Sequence, residues 1–106
     1  MEELLQILSE TQIPFAYHHF AEGESPEPPF ICYLLPGSNN FSADGKVYYK
    51  INEVHIELYN DLKDLAVEQQ LEDVLDEHGI FYNKSETWIE SEKLYEVLYT
   101  FYLGMQ

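Results

Sequence analysis

The sequence predicts an α+β fold: an antiparallel or mixed β-sheet of four to five strands packed against one long and one short helix. Three observations lead there. Only two segments repeat apolar residues at helical spacing, one near the N-terminus and one over residues 65–78. The remaining apolar sequence falls into aromatic and β-branched runs, one of which alternates strictly. Those runs follow one another through short connections, which favours neighbouring strands with the helices on one side.

Leu4, Leu5, Ile7 and Leu8 make an apolar stripe in a short helix, roughly Glu2 to Thr11, that Pro14 bars from continuing. PFAYHHF then reads as a first strand ending at Phe20. Residues 21–29, AEGESPEPP, hold three acids and three prolines and predict an extended, hydrated connector. FICYLL, Phe30 to Leu35, is nearly continuous apolar sequence, as in a strand covered on both faces or lying at a subunit contact. Pro36-Gly37 ends it. Residues 36–45 then predict an extended loop, longer than the ~2–5 residues usual for a hairpin, with a turn signal at Asp44-Gly45.

KVYYKINEVHIELYN predicts the longest strand, Lys46 to about Tyr59. Val54, Ile56 and Leu58 take one face, whereas Val47, Tyr49 and Ile51 have the opposite parity. A β-bulge near Asn52-Glu53, or a first half that faces a different neighbour, would account for the switch. Asp64 is placed to cap a helix over 65–78, with Val67, Leu71, Val74, Leu75 and His78 on one stripe and Gly79 as the stop. IFYNKSETWIES and KLYEVLYTFYLG predict two strands meeting at a turn near Ser91-Glu92. In the second, Tyr95, Val97, Tyr99, Phe101 and Leu103 share a face, and Leu94, Leu98 and Tyr102 populate the other.

At 106 residues the chain is the size of a single domain, 1–106, able to bury one core without staples. Twenty acids against five lysines, with no arginine, give a net charge of −15. Phosphate-tracking nucleic-acid binding needs a basic face, which this composition cannot build. The acidic N-terminus lacks the form of a signal peptide, and no run reaches the ~20 apolar residues of a membrane span. A soluble chain made in the cytoplasm is expected. The single cysteine, Cys32, lies in an apolar run and reads as a small buried side chain.

Signatures of chemistry are sparse. His18 and His19 are expected on opposite faces of a strand, and His55 and His78 belong to no ligand motif, so no metal site is expected. His78 suits the last turn of a helix through the macrodipole alone. Glu86, Glu90, Glu92 and Glu96 gather near the last turn, but with twenty acids a solvated face is the simpler reading. No nucleophile motif or phosphate-cradling glycine loop occurs, and the expectation is a non-enzyme without cofactor or catalytic residues. The tyrosines say more. Nine of them contribute to 15% aromatic content concentrated in strands. Tyr48, Tyr49, Tyr95, Tyr99 and Tyr102 either complete a small core or form contacts with other chains.

The stretches YLLPGSNNFSADGKVYYKINEVHIELY and GIFYNKSETWIESEKLYEVLYTF resemble a family of small prophage structural proteins, encoded among the head–tail joining and tail genes of long-tailed bacteriophages. The resemblance covers Pro14 to about Phe101, and LPGSNNFSADGK, IELY with the acid that follows, and WIESEKLYEV are its most specific parts. It implies a tail-completion or tail-terminator subunit: a compact α+β domain that forms a ring, often hexameric, and docks to tail-tube or head-connector proteins in the virion. The 36–45 loop would then be an assembly arm, with Ser38, Asn39, Asn40 and Phe41 at contacts, and the acidic surface would keep passing DNA from adhering. The competing expectation from the charge is an acidic DNA mimic that inhibits a host nucleic-acid-binding protein.

Overall fold

The computed structural model describes residues 2–21, 23–38, 41–43, 46–49 and 51–104, with backbone alone for 41–43 and 46–49. Its elements are α1 (Glu2–Glu10), β1 (Phe15–Tyr17), β2 (Phe30–Ser38), β3 (Phe41–Ala43), β4 (Lys46–Tyr49), β5 (Ile51–Asn60), α2 (Leu65–Glu77), β6 (Asn83–Ile89) and β7 (Leu94–Gly104). Five strands form one mixed sheet in the order β1-β2-β5-β7-β6, and β3 and β4 form a separate pair. Only β1 runs parallel to its neighbour; β2–β5, β5–β7 and β6–β7 are antiparallel. The fold is α+β, with one long and one short helix.

Both helices lie on the same side of the sheet. Leu4, Ile7 and Leu8 of α1 and Leu71, Val74 and Leu75 of α2 share a core with Ile31, Tyr33, Val54, Ile56, Leu58, Val97, Tyr99, Phe101 and Leu103. Each fully buried aliphatic side chain contributes about 1.5–3 kcal/mol relative to exposure, and the helices cover the face of β5 and β7 that carries these residues. Asp64 caps α2, its carboxylate accepting from Ala66 N at 3.0 Å and Val67 N at 3.3 Å. Gly79, at φ 68°, ends that helix. The Ile80 amide donates back to Leu75 O at 2.9 Å, the closing bond of a left-handed C-terminal cap.

The first strand is shorter than the sequence predicts. His18 takes φ 65°, a left-handed conformation that cannot continue a strand, and β1 stops at Tyr17. A parallel neighbour needs a long return of about a dozen residues or more. The proline-rich connector supplies that return and lays Phe20 edge-on against Phe30 at 5.5 Å.

Two further expectations change around the 36–45 loop. Pro36, Gly37 and Ser38 belong to β2, with Ser38 opposite Asn52, and Phe41–Ala43 forms β3 against β4. The ladder needs only backbone groups, so it runs on through polar sequence that has no core to face. Asp44 and Gly45 lie outside the described residues. The bulge expected at Asn52-Glu53 falls instead on β2: the register slips between Leu34 and Gly37, placing Leu35 and Pro36 opposite Val54. Pro36 has no N–H to give a ladder, and a bulge tolerates that loss. The run KVYYKINEVHIELYN divides into β4, which pairs with β3, and β5, which pairs with β2 and β7.

Candidate functional site

With both helices on one face, the opposite face of the sheet carries no helix. Register partners share a face, so Cys32, Glu57, Leu98 and Ser85 form one row across it. Phe30, Tyr59, Glu96 and Thr87 form the next, and Leu34, His55, Thr100 and Asn83 the one on the other side. Phe30 and Tyr59 stack with ring centroids 5.3 Å apart. The Tyr59 hydroxyl donates to Glu57 Oε1 at 3.2 Å, and His55 Nε2 lies 2.5 Å from Glu53 Oε2. The surface therefore carries its apolar side chains along β2 (Phe30, Cys32, Leu34) and at Tyr59 and Leu98, and its charge is acidic.

One of its carboxylates is partly desolvated. Glu96 is half-buried, and burial together with the neighbouring Glu57 charge pushes its carboxyl above the usual range. Among the described residues no lysine pairs with Glu57 or Glu96. Beside them, burial raises the Cys32 thiol to about 11 and pushes the Tyr59 hydroxyl well up, with Glu57 adding to both.

The contrast with the helix face is instructive. There Glu68, 4% exposed, sits between Lys63 Nζ, 2.6 Å from Oε2, and Lys84 Nζ, 2.8 Å from Oε1. Lys84 also lies 2.7 Å from Glu72 Oε2, and Lys63 reaches Glu86. Burial alone would raise the Glu68 carboxyl, but the two ammonium groups outweigh it and hold it below its ordinary value. This network of ion pairs ties α2 to β6.

At the end of the sheet where β2 passes into β3, a cleft of about 280 Å³ is lined by Glu53, Phe81, Asn83, Thr100, Phe101 and Tyr102. Phe81 is 93% exposed and Tyr102 61%. The cleft brings no nucleophile–base pair together. Among the described residues no three His, Cys, Asp or Glu are grouped so as to hold a metal ion, and no helix is long and apolar enough to cross a membrane. His18 and His19 do not diverge as expected. Freed from the strand by the turn at His18, their Nδ1 atoms approach to 2.9 Å.

The residues expected at contacts lie in different parts of the fold. Ser38 is exposed at the end of β2. Phe41, Tyr48 and Tyr49 belong to the β3–β4 hairpin, while Asn39 and Asn40 lie outside the described residues. Tyr102 is exposed on the uncovered face. Tyr95 is half-buried on the helix side against Trp88, at 4.7 Å between ring centroids. Tyr99 is fully buried and belongs to the core, because its place on β7 lies directly under α2. Neither a protein-family model nor a curated protein matches the chain.

Sequence reasoning read Phe30 and Leu34 as part of a strand covered on both faces or lying at a subunit contact, and Leu98 as part of the second face of its strand, but it did not set Glu57 and Glu96 beside them. The signal was present in the strict alternation of β5 and β7, whose second faces mix Glu53, Glu57 and Glu96 with Tyr59, Leu98 and Tyr102.

Proposed function

We propose that the chain is a structural subunit of a phage virion, a tail-completion or tail-terminator-like ring component that acts by self-assembly and by docking to tail-tube or head-connector proteins. The observation behind this reading is an uncovered, half-apolar sheet face in the same chain as a hairpin that leaves the main sheet. Such a face can lose its water-exposed apolar area against another protein surface. The acidic remainder suits a passage for DNA, because like charge keeps the duplex from adhering. The family resemblance of the LPGSNNFSADGK and WIESEKLYEV segments supplies the phage context.

Size-exclusion chromatography with light scattering, with and without tail-tube protein, tests the reading. A closed oligomer, alone or on the tube, is the expected result, together with the protein's presence in purified particles. A chain that stays monomeric in both conditions but binds a basic nuclease in a salt-sensitive way would overturn it in favour of DNA mimicry.

A further inference from the structure

We propose that the β3–β4 arm of one copy lies across the uncovered sheet face of the next, so that copies join head to tail. The proposal rests on the ring reading above and names the surface that receives the arm.

Geometry comes first. Ser38 and Asn52 are register partners at the tip of the β2–β5 ladder, and β3 and β4 pair with each other beyond it. The molecule is 50 Å long, whereas a ten-residue strand such as β5 spans about 33 Å. The hairpin leaves from that end of the sheet, where β2 ends at Ser38 and β5 begins at Ile51. An element placed there is suited to reach a neighbour.

Charge gives the direction. Lys63, Lys84 and Lys93 are engaged with Glu68, Glu72, Glu86 and Glu90 within the chain. The two other lysines of the sequence, Lys46 and Lys50, fall in β4 and immediately after it, and Asp44 is the only acid between residues 39 and 50. The uncovered face has the complementary character: Glu53, Glu57 and Glu96, with none of the described lysines. Glu96 is already partly desolvated, so an incoming ammonium replaces solvation that folding has removed. Phe41, Val47, Tyr48 and Tyr49 in the arm sequence match Phe30, Leu34, Tyr59 and Leu98 in apolar and aromatic character.

Because donor and acceptor are different patches, the contact is heterologous, and closure of such contacts makes a ring. The net charge of −15 opposes association everywhere else. A basic arm on an acidic face is the orientation that relieves it.

The test uses three variants of the full chain: an armless form with residues 39–50 replaced by a Gly-Ser turn, Glu57→Lys, and the shape-preserving pair Glu57→Gln with Glu96→Gln. Circular dichroism confirms folding, and light scattering reads the assembly. Wild type forms rings; the armless and Glu57→Lys forms are each monomeric. Their equimolar mixture gives dimers and nothing larger, because one intact arm meets one intact face. The double Gln variant assembles at least tenfold more weakly, which decides the matter should Glu57→Lys fail to fold. Rings from wild type with a double Gln variant that assembles equally well, or a mixture that stays monomeric, overturn the arm-to-face contact while leaving the ring reading intact. A wild type that never assembles, alone or with tail-tube protein, overturns the ring reading and this contact with it.

Discussion

The Tyr99 hydroxyl donates a 2.7 Å hydrogen bond to Glu72 Oε2, joining the middle of β7 to α2 through a ring with no exposed surface. Lys84 shares the same carboxylate oxygen, and its ammonium lies 5.8 Å from the Tyr99 ring centroid. A hydrogen bond to a charged acceptor contributes more than a neutral one. Tyr99→Phe keeps the ring packing and removes only that bond. The expected loss is about 1.5 kcal/mol, read as a lower thermal midpoint with unchanged far-ultraviolet circular dichroism.

Lys84→Met is expected to cost more than Lys63→Met. Both lysines contact Glu68, but Lys84 also contacts Glu72, and Lys63 spends its second contact on the exposed Glu86. Removing Lys84 leaves two shielded carboxylates short of a cation, a loss of about 2 kcal/mol. Removing Lys63 costs about 1 kcal/mol or less, since half of what it makes is a surface pair. Urea unfolding of the two variants checks the order; equal midpoints would contradict it.

Glu96→Gln, made in the armless form so that assembly does not enter, is expected to stabilise the protein at pH 7. Its folded carboxyl titrates above the ordinary value because burial and Glu57 both disfavour the charge. A folded-state value raised in this way gives stability below the unfolded value that is lost as pH rises through the folded one. At pH 7 the native protein therefore holds an unfavourable charge. Gln removes it, raising the thermal midpoint by about 1–4 °C. The advantage disappears below about pH 4.5, where wild type carries the proton.

Wild-type stability should pass through a maximum on acidification. Proton uptake by Glu96 and relief of the −15 net charge raise it first. Glu68 and Glu72 act in the opposite direction, because Lys63, Lys84 and the Tyr99 hydroxyl hold their carboxyls below the ordinary glutamate value. Their contribution is complete above that value and is lost as pH falls through the lowered folded ones. Exposed Glu10, lowered by its hydrogen bond from His78, follows the same sign. Thermal midpoints between pH 7 and pH 3 test this; a monotonic fall from pH 7 would show that the Glu96 and net-charge effects are absent.

Local chemistry made much of the architecture readable in the sequence. Val54, Ile56 and Leu58 alternate because one side of β5 is covered, and all three are buried. Asp64 and Gly79 mark the ends of α2 because a helix must satisfy its terminal amides and carbonyls, whatever it packs against. The face shared by Tyr95, Val97, Tyr99, Phe101 and Leu103 follows from the two-residue repeat of a strand. Each of these depends only on neighbours along the chain.

What the tertiary structure alone decided concerns partners far apart in sequence. Tyr99 and Tyr102 are similar residues three positions apart, yet one lies under α2 and the other faces solvent, since the side on which the helices settle is a long-range outcome. The bulge sits on β2 because Pro36 meets a paired strand there. The carboxylates of Glu57 and Glu96, nearly forty residues apart, become neighbours only through the β5–β7 register. Spacing along a chain dictates which side chains share a face; which face stays open, and what gathers on it, depends on how distant segments close over the core.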